Sequence, residues 1–87
     1  MAEEDKRLSK EIIGKLVVSK TGKKFGTVAD VMFEAKTGEL IHLVLGNPTP
    51  YSTKIELEKD NQGNVLIPFS SVQAIGDFLV ISEEDIA

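Results

Sequence analysis

The chain has 87 residues, 41% of them hydrophobic, and a formal net charge of -4, which describes one domain near the size where a single core is only marginally adequate. It contains no cysteine, so a disulfide framework and a thiolate metal site are both excluded, and its acidic balance opposes general binding to a phosphate backbone. No apolar run approaches the length of a membrane span and the charged beginning lacks the apolar core of a signal peptide, so the expectation is an intracellular, cytoplasmic protein without direct membrane insertion.

Residues 1–7 form a polar, mixed-charge leader without periodicity. In Leu8-Ser9-Lys10-Glu11-Ile12-Ile13-Gly14, Ser9 is placed to cap a single helical turn, Glu11 to favour its N-terminus and Gly14 to end it, as a lid on an open barrel end. The stretch from Gly14 to Gly46 reads as three short strands joined by two tight turns, at Ser19-Lys20-Thr21-Gly22-Lys23 and Ala35-Lys36-Thr37-Gly38-Glu39; each turn holds a glycine where the chain reverses. The first strand, Lys15 to Ser19, puts Leu16 and Val18 on one face and Val17 on the other. In the second, strict alternation cannot place Val28 and Val31 together, so a β-bulge near Ala29-Asp30 is expected, with Val28, Val31 and Phe33 inward and Gly26 permitting close approach or sharp coiling.

The third strand, Leu40 to Leu45, is apolar at nearly every position. Ile41, Leu43 and Leu45 fall on one face and Leu40, His42 and Val44 on the other. A strand apolar on both faces is buried on both, and so small a barrel has no second layer to cover its outside. The Leu40, His42 and Val44 face is therefore the expected subunit interface. Gly46 to Thr53, interrupted by Pro48 and Pro50, reads as a loop. Ile55 to Glu58 reads as a short half-exposed strand, Asp60 to Asn64 as a turn, and Val65 to Ile67 as a strand closed by Pro68. Phe69-Ser70-Ser71 offers hydroxyls to cap a second helical turn. Gly76-Asp77 marks a hairpin between Gln73–Ile75 and Phe78–Ile81. The last strand is again apolar on both faces, which adds Phe78 and Val80 to the expected interface. The acidic end, 82–87, carries one large apolar residue, Ile86.

Groups able to do chemistry are few. His42 is the only histidine, which leaves no His pair for a metal or a relay, and a working base needs a positioned partner. Asp30, at the expected bulge, fits hydrogen bonding to nearby backbone N–H groups better than base catalysis. Glu56 and Glu58 share a strand face and read as a solvated edge that discourages strand addition. Ser70 and Ser71 lack a nucleophile-elbow context. The Gly22 to Gly26 segment lacks the spacing of a phosphate loop. Lys20, Lys23 and Lys24 form a small basic cluster at one hairpin tip, open to an acidic partner or to RNA, and with Ile86 they are the expected partner contacts outside the dimer interface.

Two sets of residues together resemble a known family. Leu8-Ser9, Ile13-Gly14-Lys15, Val18-Ser19, Gly22-Lys23, Phe25-Gly26-Thr27-Val28-Ala29-Asp30-Val31 and Thr37-Gly38-Glu39-Leu40 resemble the first half of a PRC-barrel domain. Val65-Leu66-Ile67-Pro68-Phe69-Ser70-Ser71-Val72-Gln73-Ala74-Ile75-Gly76-Asp77-Phe78-Leu79-Val80-Ile81 resembles its closing half. The resemblance runs from Leu8 to Ile81, giving a leader over 1–7, the domain over 8–81 and a tail over 82–87. It implies an all-β fold, a small six-stranded antiparallel β-barrel with one or two single-turn helices. The family occurs in the photosynthetic reaction-centre H subunit, with a membrane anchor, in the ribosome-maturation factor RimM, with a preceding domain, and in stand-alone archaeal proteins of about this length. The chain is most similar to the last group, some of whose members are dimers working in cell division with the SepF anchor of the FtsZ ring. The resemblance thus implies a non-catalytic dimeric adaptor without cofactor, a homodimer or a heterodimer with a paralogue, with a SepF-like division protein as a partner. The alternative it implies is an RNA- or ribosome-associated module of the RimM type, using Lys20, Lys23 and Lys24.

Overall fold

A computed structural model describes residues 10–55 and 57–85 of the chain. Its strands are β1 (Leu16–Ser19), β2 (Lys24–Phe33), β3 (Leu40–Gly46), β4 (Glu58–Lys59), β5 (Val65–Pro68), β6 (Val72–Ile75) and β7 (Phe78–Ile81). A short helix, α1 (Pro50–Lys54), and two single-turn 3-10 helices, η1 (Phe69–Ser71) and η2 (Glu83–Asp85), lie between or after them. All seven strands belong to one sheet in the order β4-β5-β3-β2-β1-β7-β6.

This corrects the expected six-stranded antiparallel barrel in three respects. A seventh, two-residue strand, β4, adds to β5 through Glu58 and Lys59. The pairing of β1 with β7 is parallel, Leu16 beside Phe78 and Ser19 beside Ile81. The sheet ends at β4 and β6, which do not pair with each other, so it does not close. Local sequence cues set strands and hairpins, whereas parallel pairing and closure join residues far apart in the chain. The core is completed instead by side chains from outside the strands: Ile12 and Leu57 are part of the buried cluster, and Tyr51, Ile55 and Phe69 pack against it.

The meander forms as its residues require. Both glycine turns are present, with Gly22 at φ 89° and Gly38 at φ 74°, closed by backbone bonds from Ser19 N to Lys23 O (2.8 Å) and from Glu34 N to Glu39 O (2.7 Å). The register of β2 against β3 slips between Val28 and Asp30, the expected bulge. Val28 is 2% exposed, and Val31 and Phe33 pack against the core. Gly26 holds φ at 150°, and a Cβ there would lie 2.5 Å from the Gly46 carbonyl oxygen. Its lack of a side chain is what lets β2 cross β3 so closely.

A second slip, between Met32 and Phe33, lies opposite Ile41. It reverses the facing of one residue in β3: Leu40 joins Leu43 and Leu45 in the core, while Ile41 is 37% exposed. The alternation expected for β3 is thereby corrected, because one extra residue in a ladder turns every side chain beyond it to the other face. The expected loop over 46–53 is also corrected. Thr49 accepts a bond from Ser52 N with its side chain, and Pro50 takes the first helical turn, where a missing N–H costs nothing. Of the strand expected over Ile55 to Glu58, Glu58 lies in a ladder, and Glu56 lies outside the described residues. Residues 10–12 are helical and Ile12 is fully buried, which fits the expected lid; its proposed cap, Ser9, lies outside the described residues.

Candidate interaction surface

Alternation in β1 sends Val17 and Ser19 to the core and leaves Leu16 and Val18 half-buried on the outer face. In β7 the same division buries Leu79 and Ile81 and leaves Phe78 and Val80 outward, Phe78 with 54% of its surface exposed. The parallel register sets Leu16 beside Phe78 and Val18 beside Val80, and Ala74 of β6 extends the second row beyond Val80. Five apolar side chains from three strands so form one outward patch.

The other expected interface residues lie elsewhere. Leu40 is 7% exposed and belongs to the core cluster, so it contributes no outward surface, and its assignment to the interface is corrected by the slip at Ile41. His42 and Val44 do lie on the outer face, half-buried. They are separated from β7 by β2 and β1, about 14 Å along the sheet. The five residues expected in one interface thus divide into a core residue and two outer regions.

Around His42 the outer face makes contacts of its own, although Met32 beside it is 38% exposed. Met32, His42 and Pro68 form one cross-strand row, and Asp30, Val44, Leu66 and Glu58 the next. His42 Nε2 lies 2.8 Å from Glu58 Oε2, a bond that spans β5 on the face where Leu66 sits. Leu66 is only 6% exposed although alternation points it away from its neighbour Ile67 in the main cluster. The geometry fits the tautomer whose Nε2–H donates to Glu58, with Nδ1 buried and without a partner. A partly exposed pair of this kind contributes at most about 1 kcal/mol, so its larger effect is to cover Leu66. Asp30 accepts a bond from Val31 N at 2.8 Å, the backbone role expected at the bulge. Among the described residues, no group of three or more His, Asp or Glu is placed to hold a metal ion, and no helix is long and apolar enough to cross a membrane.

The basic hairpin makes a second surface. Lys20, Lys23 and Lys24 are exposed, and the ammonium of Lys23 stands 5.7 Å from the centroid of the Tyr51 ring, close enough for cation–π attraction. Tyr51 meets Phe25 edge to face at 5.5 Å, and its hydroxyl donates to Glu83 Oε2 at 2.6 Å. The Tyr51 bond, hydroxyls of Ser19 and Thr21 and the charge of Lys23 hold the Glu83 carboxyl below the usual range, and the same carboxylate raises the Tyr51 phenol. Ser82, just before, is 2% exposed and its N–H bonds to Ser71 O at 2.8 Å, so the acidic end is tied to the domain through residue 83. Ile86 lies outside the described residues. Tyr51 and Glu83 were not singled out as a pair by the sequence: they stand 32 positions apart, and no local signal links them.

A family model described as the PRC-barrel domain matches residues 4–85, a span reaching beyond the expected 8–81 at both ends. The chain is also similar to the uncharacterized protein MJ1118 of Methanocaldococcus jannaschii, with 30% identity over 82 residues that cover 94% of this chain and 88% of that protein.

Proposed function

Because the chain belongs to the PRC-barrel domain family, whose members are generally non-catalytic, we propose that it is a dimeric protein-interaction adaptor. The observation that carries this reading is the outward patch of Leu16, Val18, Phe78, Val80 and Ala74, with Phe78 more than half exposed. Aligned apolar side chains on adjacent strands of an otherwise charged chain mark an interaction face. Recruitment to archaeal cell division beside a SepF-like protein is a narrower role supported by the family resemblance alone. Pull-down from native cells tests it: failure to recover division-ring proteins removes that role and leaves the adaptor reading standing.

Sedimentation velocity at micromolar concentration tests the dimer. The expected result is a dimer for the native chain and a folded monomer for Phe78→Asp; a native chain that stays monomeric overturns the reading. The RNA-associated alternative is less favoured because Lys23 is already engaged with Tyr51 and Glu83 and the chain is acidic. Salt-dependent RNA binding lost on neutralising Lys20 and Lys24 would restore it.

A further inference from the structure

The contacts of Glu83 have the form of a ligand in a site. Its carboxylate receives the Tyr51 hydroxyl at 2.6 Å, with Ser19, Thr21 and Lys23 acting on the same group. Those four residues are held by their own structure. Ser19 Oγ lies 2.9 Å from Thr21 Oγ1 and accepts from Lys23 N at 3.0 Å, which fixes the hairpin. Thr49 Oγ1 donates to Lys24 O at 2.6 Å, which fixes α1, and with it Tyr51, against β2. The cradle is therefore built by β1, its hairpin and α1, and the C-terminal turn contributes only the carboxylate that fills it. Beside it opens a depression of about 300 Å³ lined by Lys20, Thr21, Tyr51, Ser82, Glu83 and Glu84. Removing the turn takes both glutamates away and leaves the Tyr51 ring, the Thr21 hydroxyl and Lys20 lining the same space.

We propose that the Ser19, Thr21, Lys23 and Tyr51 cradle is a recognition site for a carboxylate-bearing segment of a partner protein, occupied in cis by Glu83 as an autoinhibitory contact. The inference rests on the adaptor reading and adds the chemistry of the partner: an acidic peptide whose glutamate replaces Glu83 and whose neighbouring acids meet Lys20, which lines the depression. A separate partner is favoured over a second copy because each copy's Glu83 is already held in its own cradle, and an acidic segment is favoured because Lys20 lines the depression beside it. An intramolecular ligand competes at an effective concentration that reaches the millimolar range, so the native chain binds such a peptide weakly and release of Glu83 exposes the site.

The test uses a fluorescein-labelled peptide of residues 80–87, Val-Ile-Ser-Glu-Glu-Asp-Ile-Ala, as the acidic probe, read by anisotropy. Glu83→Ala is expected to bind it at least about tenfold more tightly than the native chain, by the removal of the internal competitor. Adding Tyr51→Phe or Lys23→Ala is expected to reverse that gain, and raising salt to weaken it. Glu83→Gln, which preserves side-chain volume, serves if the alanine variant does not fold, with amide–proton NMR dispersion checking the fold of each. Equal binding by the native and Glu83 variants overturns the proposal, as does binding indifferent to Tyr51 and Lys23. Absence of peptide binding by the folded Glu83 variant also overturns it. Sedimentation of the native chain reads the dimer independently, so failure of the peptide site and failure of the dimer are distinguishable.

Discussion

Gly26 has no room for a side chain. With φ at 150° and the Gly46 carbonyl 2.5 Å from any added Cβ, Gly26→Ala must both strain the backbone and push β2 from β3. It is expected to cost about 2 kcal/mol or more, measured as a fall in the urea midpoint at unchanged slope. Glu83 and Tyr51 give a prediction in pH. The folded Glu83 carboxyl is held below its ordinary value, so its contribution is complete above about pH 4.3, the unfolded value, and is lost as pH falls through the lower folded one. The folded Tyr51 phenol is raised, so its contribution is complete below about pH 10 and is lost as pH rises through the folded value. Thermal melting across this range should show the native chain losing stability at both edges faster than Tyr51→Phe. Parallel profiles for the two proteins would mean that the bond does not couple to folding.

At the scale of elements, β3 and β7 behave differently although both are apolar along their length. In β7 alternation is unbroken, and Phe78 and Val80 stay outside. In β3 the slip at Ile41 turns Leu40 into the core and leaves His42 and Val44 on the outer face, where His42 bonds across β5 to Glu58 on the edge strand β4. Leu40→Ala is therefore expected to cost about 2–5 kcal/mol, as for other buried leucines, while Phe78→Ser changes the stability of the monomer by about 0.5 kcal/mol or less. Urea denaturation at submicromolar concentration separates the two; a mild effect at Leu40 would place it outside the core. The two edges differ as well. The edge strand β4 has two residues, both charged, and so resists strand addition, whereas β6 is a four-residue edge, VQAI, without charge.

At the scale of the whole molecule, one curved run of seven strands buries a single cluster and leaves two surfaces of different chemistry. The outer face of β1 and β7 carries the apolar row of Leu16, Phe78, Val18 and Val80, the face of the proposed dimer. The hairpin and α1 form a polar, cationic cradle that suits a carboxylate. These surfaces involve different residues, so the two proposed contacts do not exclude one another. The family match over residues 4–85 applies to this whole unit, including the turn that supplies Glu83.

Both glycine turns, the bulge beside Asp30, the closing hairpin at Gly76-Asp77 and the inward set Val28, Val31 and Phe33 were legible from residue order, because each depends on neighbours within a few positions. The outward placement of Phe78 and Val80 followed from the same two-residue period. Tertiary structure alone decided the parallel β1–β7 pair, the unclosed sheet, the inward turn of Leu40 and the meeting of Tyr51 with Glu83 and of His42 with Glu58. Each of these joins residues distant in the chain or depends on which partner strand a residue meets. Local propensity is silent there, and packing of the shared core makes the choice.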